Sequence, residues 1–512
     1  MKMYPIFPRI SVLLFAILYL SCGKLDFSNA GDPKSQAFFL TNLLRTLLTP
    51  VPSPVICNTT TRWEKSIGNG SFLVYITDAK GLPNEDIVIT GFTTENLGSG
   101  KNFNFSETIG SAPFYNGFLA KLDGKTGDIV WLDYLGEVVN SSRLSVKLFS
   151  NGDIGIADDV ITEQAGALSA KAAGLGSAAF MVVRYDQTGL RKWHTYFDSS
   201  DLNNSSAFEI DDLDQIHLFA TLNGTAGHQT FSEFPAVTNT SQGATADTDI
   251  LYGIVNGSGS PIKQTYITSS GSESPLSTAR DGNVIYLGGS TTGNMNGATG
   301  HPALGFTRSF LLKIESNQSI SWISYQGPGG SSTNGGVETL LLAGNQFYTL
   351  GRFSDTFGSP VSPFQGIAGS TKNYYYQKLD QNGANLWHTY LGSSSSLPEG
   401  FPIPLLYGRS NDLVYSTLLS PNAGRYTGLG AAETGTGTGG LQRVLAKIRA
   451  SSGAYESVAF ETNDANPQKT HYTILKEVCT GKVIRGERIL PDINDSARQN
   501  FKLKVFPSTE LP

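Results

Sequence analysis

Apolar residues in this chain come in short runs separated by stretches rich in Gly, Ser, Thr and Asn. Phe72-Leu73-Val74-Tyr75-Ile76 is followed by Asp86-Ile87-Val88-Ile89-Thr90-Gly91, and after a polar stretch by Gly117-Phe118-Leu119-Ala120-Lys121-Leu122-Asp123. Each run has strand length and β-branched or aromatic content, and none shows the three-to-four spacing of a helix. The second run is echoed by Asn283–Gly288 and Gln346–Gly351, and the third by Phe180–Asp186, Leu311–Glu315, Tyr375–Asp380 and Val444–Ile448. A fourth run closes each cycle: Trp131-Leu132-Asp133-Tyr134, Trp193-His194-Thr195-Tyr196, Trp322-Ile323-Ser324-Tyr325 and Trp387-His388-Thr389-Tyr390. Weaker copies begin at Lys263 and Tyr455, and a leading copy begins at Trp63. The copies recur at steps of about 59 to 70 residues, and all 5 tryptophans fall in register. A period of that length made of four strands is the mark of a repeat architecture.

The first two strands of a cycle are nearly continuously apolar, as inner strands covered by neighbouring sheets should be. The third alternates and ends in charge, which predicts a half-exposed strand. Asp-x-x-Gly turns join the third strand to the fourth, with Gly supplying positive φ. A sheet with two apolar faces is not stable alone, whereas radial stacking buries both and leaves short edges. The predicted fold is therefore all-β, a seven-bladed β-propeller of four-stranded antiparallel blades over residues 57–512. Its blades start near 71, 143, 206, 273, 336, 401 and 470. The last blade has three strands of its own, and the orphan strand Thr61–Gly68 is expected to complete it and close the ring.

The chain opens differently. Lys2 and Arg9 precede an apolar run, Val12–Leu20, too short to span a bilayer, which predicts a signal peptide over 1–21. Leu20-Ser21-Cys22 resembles a relaxed bacterial lipobox, and that resemblance implies cleavage before Cys22 and lipid attachment to its sulfur. Residues 22–56 are expected to be a tether, with a short amphipathic helix over Phe38–Leu48 and a Pro-rich exit at Pro50–Pro54. Cys57 and Cys479 both fall at the expected ring closure, which makes them a disulfide candidate in an exported protein. The first and fourth strands of a blade stand about 14 Å apart, so the segment before Trp63 must fold back to permit the bridge.

The order Ile-Thr-Gly-Phe-Thr, Gly-Phe-Leu-Ala-Lys-Leu-Asp, then Trp-x-x-Tyr-Leu-Gly, running from Ile89 to Gly136, resembles the SBBP-type bacterial β-propeller repeat. The resemblance covers Ser71 to Thr462. It implies a propeller fold in an exported bacterial protein, and it brings no catalytic residues to transfer.

The chemistry-bearing residues are sparse. A net charge of -6 and the absence of a Lys/Arg cluster exclude a nucleic-acid partner. The 6 histidines do not converge in sequence, and His194 and His388, each beside a Trp, read as packing residues. No HExxH, CxxC or Gly-x-Ser-x-Gly is present. Asp123–Trp131 resembles the hairpin of quinoprotein propellers, but only this cycle keeps the spacing, and a generic turn accounts for it. Asp158, Asp159, Asp211 and Asp212 read as solvated turn acids. Small-residue stretches at Gly166–Ala179 and Thr427–Gly440 suggest a binding face. These features predict a non-catalytic binding and display module for a protein or glycan ligand. It would be a monomer, held by a lipid anchor at the bacterial cell envelope, on the outer membrane. No catalytic residue, cofactor or metal is expected, and the five tryptophans are read as repeat-core residues. The alternatives are a quinoprotein-like propeller enzyme and an outer-membrane assembly scaffold.

Overall fold

The computed structural model describes residues 61–510, except 69–72, 104–113, 140–143, 171–178, 198–201, 224–229, 232, 238, 240–246, 296–306, 328–335, 365–372, 392–404, 409–411, 421–431, 435–441, 461–469, 480 and 490–499. The leader, Cys22, the Phe38–Leu48 helix, the Pro-rich exit, Cys57 and most of the two small-residue stretches lie outside the described residues. All that follows concerns the unit Ile56–Pro512.

Its strands follow one another in quartets, preceded by β1 (Trp63–Ile67). The first quartet is β2 (Val74–Gly81), β3 (Ile87–Thr93), β4 (Phe114–Leu122) and β5 (Ile129–Val139). The second is β6 (Ser145–Leu148), β7 (Ile154–Val160), β8 (Ala179–Tyr185) and β9 (Arg191–Phe197). The third is β10 (Leu202–Ile210), β11 (Ile216–Asn223), β12 (Thr248–Val255) and β13 (Pro261–Ile267). The fourth is β14 (Glu273–Asp281), β15 (Val284–Thr291), β16 (Arg308–Ile314) and β17 (Ile320–Gln326). The fifth is β18 (Thr339–Ala343), β19 (Gln346–Phe353), β20 (Asn373–Asp380) and β21 (Asn385–Leu391). The sixth is β22 (Leu405–Gly408), β23 (Leu413–Ser420), β25 (Gln442–Arg449) and β26 (Tyr455–Phe460), with a short parallel addition, β24 (Ala432–Thr434), on β26. The terminal strands are β27 (Thr470–Cys479), β28 (Lys482–Ile489) and β29 (Asn500–Pro507).

Within each quartet the strands pair antiparallel in chain order. The first and second quartets share one hydrogen-bonded sheet, joined by the single pair Val138↔Val160. The terminal strands take β1 as their fourth member: it runs antiparallel to β29, from Trp63↔Val505 to Ile67↔Phe501. First strands of successive quartets lie against one another, and β2 also lies against β27. Lys482 of β28 meets Glu85, in the β2–β3 turn, at 3.4 Å. Among the described residues there is no α-helix, and none long and apolar enough to cross a membrane.

Burial reverses one expectation. The third strands are not half-exposed: β8, β12, β16 and β20 are buried along almost their whole length. The fourth strands are the more open ones: β1 alternates, and β9 and β13 are exposed or half-buried over their first three residues, because they form the outer edge of each sheet. The charges that end the third strands are paired or hydrogen-bonded: Lys121 with Asp86 at 3.0 Å, Arg184 with Asp153 at 2.8 Å, and Lys378 to the Ala450 carbonyl at 2.8 Å. Buried charges are tolerated only with such partners.

The tryptophans stitch one quartet to the next. Indole N–H groups of Trp63, Trp131, Trp193 and Trp387 donate to Gly124, Gln187, Gly257 and Ala450 carbonyls at 3.1, 3.2, 3.1 and 2.9 Å. Each acceptor lies in or beside the turn between the third and fourth strands of the following quartet. The rings lie where a Cβ would project from that turn's positive-φ glycine, at Gly127, Gly189, Gly259 and Gly453. Trp322 covers Gly383 in the same way. Glycine is required twice over there, by φ and by the ring above it.

Candidate functional site

The first strands enclose one cavity of about 460 Å³, with wall residues from β2, β6, β10, β14, β18, β22 and β27. Most of the wall is apolar, including Leu144, Phe208, Leu276, Leu340, Leu405 and Leu475. Polar residues, among them Thr77, Ser145, Ser277 and Thr339, are interspersed along it, and the basic ones stand near the hairpin turns that follow these strands. The next-to-last ladder positions before the turn are Lys80, Lys147, Glu209, Arg280, Leu342 and Tyr407 in β2 through β22. Lys476 occupies the neighbouring level in β27, where a bulge shifts the register. This level and the one beside it thus gather four cations.

Most of those charges are neutralised in pairs. Lys147 donates to Glu209 Oε2 at 2.6 Å and to Thr278 Oγ1 at 3.2 Å. Glu209 is deeply buried, which works against its charge, yet Lys147 and Arg280 hold its carboxyl below the usual range. Lys476 pairs with Asp78, whose other oxygen accepts the Val146 N–H at 2.9 Å. Arg280 pairs with the exposed Asp212. Lys80 differs: among the described residues its ammonium makes no hydrogen bond or ion pair. It lines the cavity within reach of solvent. Crowding by the protein, with Lys476 and Lys147 nearby, pushes its pKa below that of an ordinary lysine.

Two other polar clusters are closed. Asp133 accepts from the Asn102 and Phe103 backbone N–H groups at 2.8 Å, from Asn102 Nδ2 and the Tyr185 hydroxyl at 2.9 Å, and from Arg191 at 3.1 Å. No lone pair is left for a ligand. Between the third and fourth quartets, Glu273 accepts from Ser269 and Thr291, close to Asp249 and Thr268. Burial, reinforced by Asp249, lifts the Glu273 pKa to about 8. It is 1% exposed and out of reach of substrate.

The residues singled out by sequence are scattered around the sheets. Trp63, Trp131, Trp193, Trp322 and Trp387 lie on outer strands, away from the cavity. His194 and His388 are buried; their Nε2 atoms meet the Gln164 and Phe357 carbonyls at 3.0 and 2.8 Å, and burial lowers both pKa values. His388 also stacks on Phe357. Cys479 ends β27, half-buried against the core that contains Ile67 and Val478; Cys57 and Cys22 lie outside the described residues. The reading of the four aspartates as solvated is corrected for three of them. Asp158 and Asp159 are buried within β7, Asp211 is buried where it accepts the Leu213 and Gln215 N–H groups at 2.9 and 2.7 Å, and only Asp212 is exposed. Among the described residues no group of His, Cys, Asp or Glu could hold a metal ion. The cavity residues went unnoticed in the sequence because the first strands were read as uniformly apolar. The available signal was a charged residue at one fixed distance before successive hairpin turns.

No family model matches the chain, and no curated protein does. Solved structures do. One is a polysaccharide lyase of the PL25 ulvan lyase family bound to a GlcA–Rha3S saccharide (TM-score 0.40, 9% identity, 85% of this chain and 96% of that one). Another is an α-L-arabinofuranosidase from Fusarium graminearum (TM-score 0.38, 9% identity, 88% and 98%). A third is a Hadza microbial sialidase (TM-score 0.36, 9% identity, 77% and 74%). These three are enzymes, and on that finding the expectation of a non-catalytic binding and display module is corrected.

Proposed function

We propose that the chain is a seven-bladed β-propeller closed by β1, and that its working site is the central cavity, which takes a small-molecule substrate. The quartets are its first six blades, and β27, β28, β29 and β1 are the seventh. Pairing of β1 with β29, together with the packing of β2 on β27, supports closure. One observation carries the functional reading: a cavity of about 460 Å³ lined by both apolar and polar residues, where an amine with no ion-pair partner among the described residues stands beside two carboxylate–ammonium pairs. Substrate sites combine this size and wall character with a few convergent, perturbed ionisable groups. Burial holds this amine below its ordinary pKa, and perturbed ionisable groups of this kind concentrate at functional sites. The sequence pattern of the leader further supports export, with Cys22 as a lipid anchor at the cell envelope, and its SBBP-like repeat supports a bacterial exported propeller.

The test uses the full chain with its lysines reductively ¹³C-methylated, the signals of Lys80, Lys147 and Lys476 being assigned by Lys→Arg variants. The neutral nitroxide 4-hydroxy-TEMPO should broaden these signals beyond those of exposed Lys125, and Leu340→Trp or Leu276→Phe, which fill the cavity, should abolish the excess. Equal broadening with and without the filling substitutions would remove the cavity as a site.

A further inference from the structure

Arg308 opens β16, opposite Thr291 of β15, at the end of the fourth quartet away from its hairpin turns. It is fully buried, and among the described residues its Nε, Nη1 and Nη2 have no hydrogen-bond partner. Ser309, next in the strand, is buried as well, and its hydroxyl is likewise unpartnered. Ser309 faces the fifth quartet: Gln326, opposite it in the ladder, accepts from Gln377 of β20, and Leu311, two residues on, shares an apolar cluster with Phe347. The same seam continues at Gly327, where a Cβ would lie 2.7 Å from the Phe353 ring that ends β19. Ser354 follows that ring, buried and with its hydroxyl also unpartnered, and Asp355 comes next. Burial lowers the Arg308 pKa, and Asp355 is near enough to act against that. Asp355 thus offsets the charge but does not meet the donors. Among the described residues it makes no hydrogen bond to Arg308, and its Oδ1 accepts the Thr356 N–H at 2.7 Å. A guanidinium carries five donors and cannot shed its charge, so leaving them buried and unmet is costly. The place is also shallow, since Thr307, Gly327 and Asp355 are half-buried.

We infer that this seam between the fourth and fifth quartets is a binding site for a small carboxylate. It is separate from the central cavity, whose wall includes none of these residues. The two carboxylate oxygens take the Arg308 fork side by side, the geometry in which guanidinium donors are best satisfied. The hydroxyls of Ser309 and Ser354 supply further donors. Asp355 repels a second negative charge, which disfavours a phosphate dianion. A neutral amide brings one acceptor oxygen where the fork needs two.

The full chain labelled with ¹⁵N-arginine reports on the site through the Arg308 Nε–Hε signal, assigned by its loss in Arg308→Lys. Acetate, acetamide and inorganic phosphate are titrated at neutral pH and constant ionic strength. Acetate should shift that signal saturably, and acetamide and phosphate should act at least tenfold more weakly. Acetate should also raise the urea midpoint of the parent, because a ligand of the folded chain stabilises it, and should leave that of Arg308→Met unmoved. Without acetate, Arg308→Met should be no less stable than the parent, since it removes a buried charge whose donors are unmet. Ser354→Ala should weaken acetate roughly threefold to tenfold, the scale of one lost hydrogen bond. Equal shifts by acetate and acetamide would overturn the carboxylate assignment, and tighter binding of phosphate would overturn it in favour of a dianion. The site itself would be refuted by the absence of a saturable shift in the parent, or by an acetate effect undiminished in Arg308→Met.

Discussion

The junction between the first and second quartets and that between the third and fourth solve the same packing problem with different residues. In the first, Trp131 of β5 covers Gly189 and donates to Gln187, while Lys121 stands directly opposite it in β4. In the second, the equivalent cross-strand pair is inverted to Ile254 and Lys263, and no tryptophan reaches across. The turn it would have covered, in the fourth quartet, has lost its glycine as well: Gln318 takes the left-handed conformation there, at φ 69°. Glycine at these turns therefore answers to the ring above it as much as to the turn. Where the ring is absent, a side chain can occupy the space, at the cost of some backbone strain. The sixth quartet fits the same account: Ser457, opposite Lys447, stands at the tryptophan position, and the terminal strands that follow have no hairpin between their third and fourth members to cover. In place of a ring, the third and fourth quartets share a buried polar network around Glu273 and an apolar cluster around Phe219, Tyr252 and Leu287.

The contrast can be broken most severely at the rings. Trp387→Ala removes a nearly buried ring and its 2.9 Å hydrogen bond, and should cost about 3–5 kcal/mol in denaturant unfolding. Lys263→Ala should stay within about 0.5 kcal/mol. Gly189→Ala puts a Cβ 2.6 Å from the Trp131 ring at φ 84°, and should destabilise by about 2–3 kcal/mol. Fluorescence of Trp131 should report its displacement.

The dependence on pH sharpens the comparison, because the two kinds of junction respond in opposite directions. Glu273 has a folded pKa of about 8 against an ordinary 4.5, so it binds its proton more tightly in the folded chain. Its stabilisation is complete below 4.5 and is lost as pH rises through 8. Glu273→Gln should abolish that alkaline loss in urea midpoints measured from pH 5 to 9. His194 and His388, beside the tryptophans, have pKa values below the ordinary 6.5, and the stability they protect is lost as pH falls below that value. His388→Gln should weaken the acid limb alone. A small effect of opposite sign is expected at the turn without a ring: Gln318→Gly relieves the left-handed strain and should stabilise by about 0.5–1 kcal/mol, measured as a shift in urea midpoint.

The four-strand cycle, the tryptophan register and the strand at Trp63 were legible in the sequence because each is a local pattern repeated at a fixed interval. The pairing of that strand with β29 followed from counting, since three terminal strands lacked a fourth. The degree of exposure of each strand was not legible. A lysine at the end of a third strand looks solvent-facing, and only the folded structure brings Asp86 of its own quartet, or the Ala450 carbonyl of the next, to pair with it. The candidate site was hidden for a related reason. Lys80, Lys147 and Lys476 are separated by hundreds of residues in places, and each lies in a strand that is otherwise mostly uncharged.

By itself the sequence determined the elements, their order and where each turns, because backbone conformation and alternation are set by residues within a few positions of one another. Tertiary structure alone decided which charges meet, and that the Lys80 ammonium makes no ion pair among the described residues. Electrostatic balance is a sum over all the strands that converge on the cavity, and no single repeat contains it.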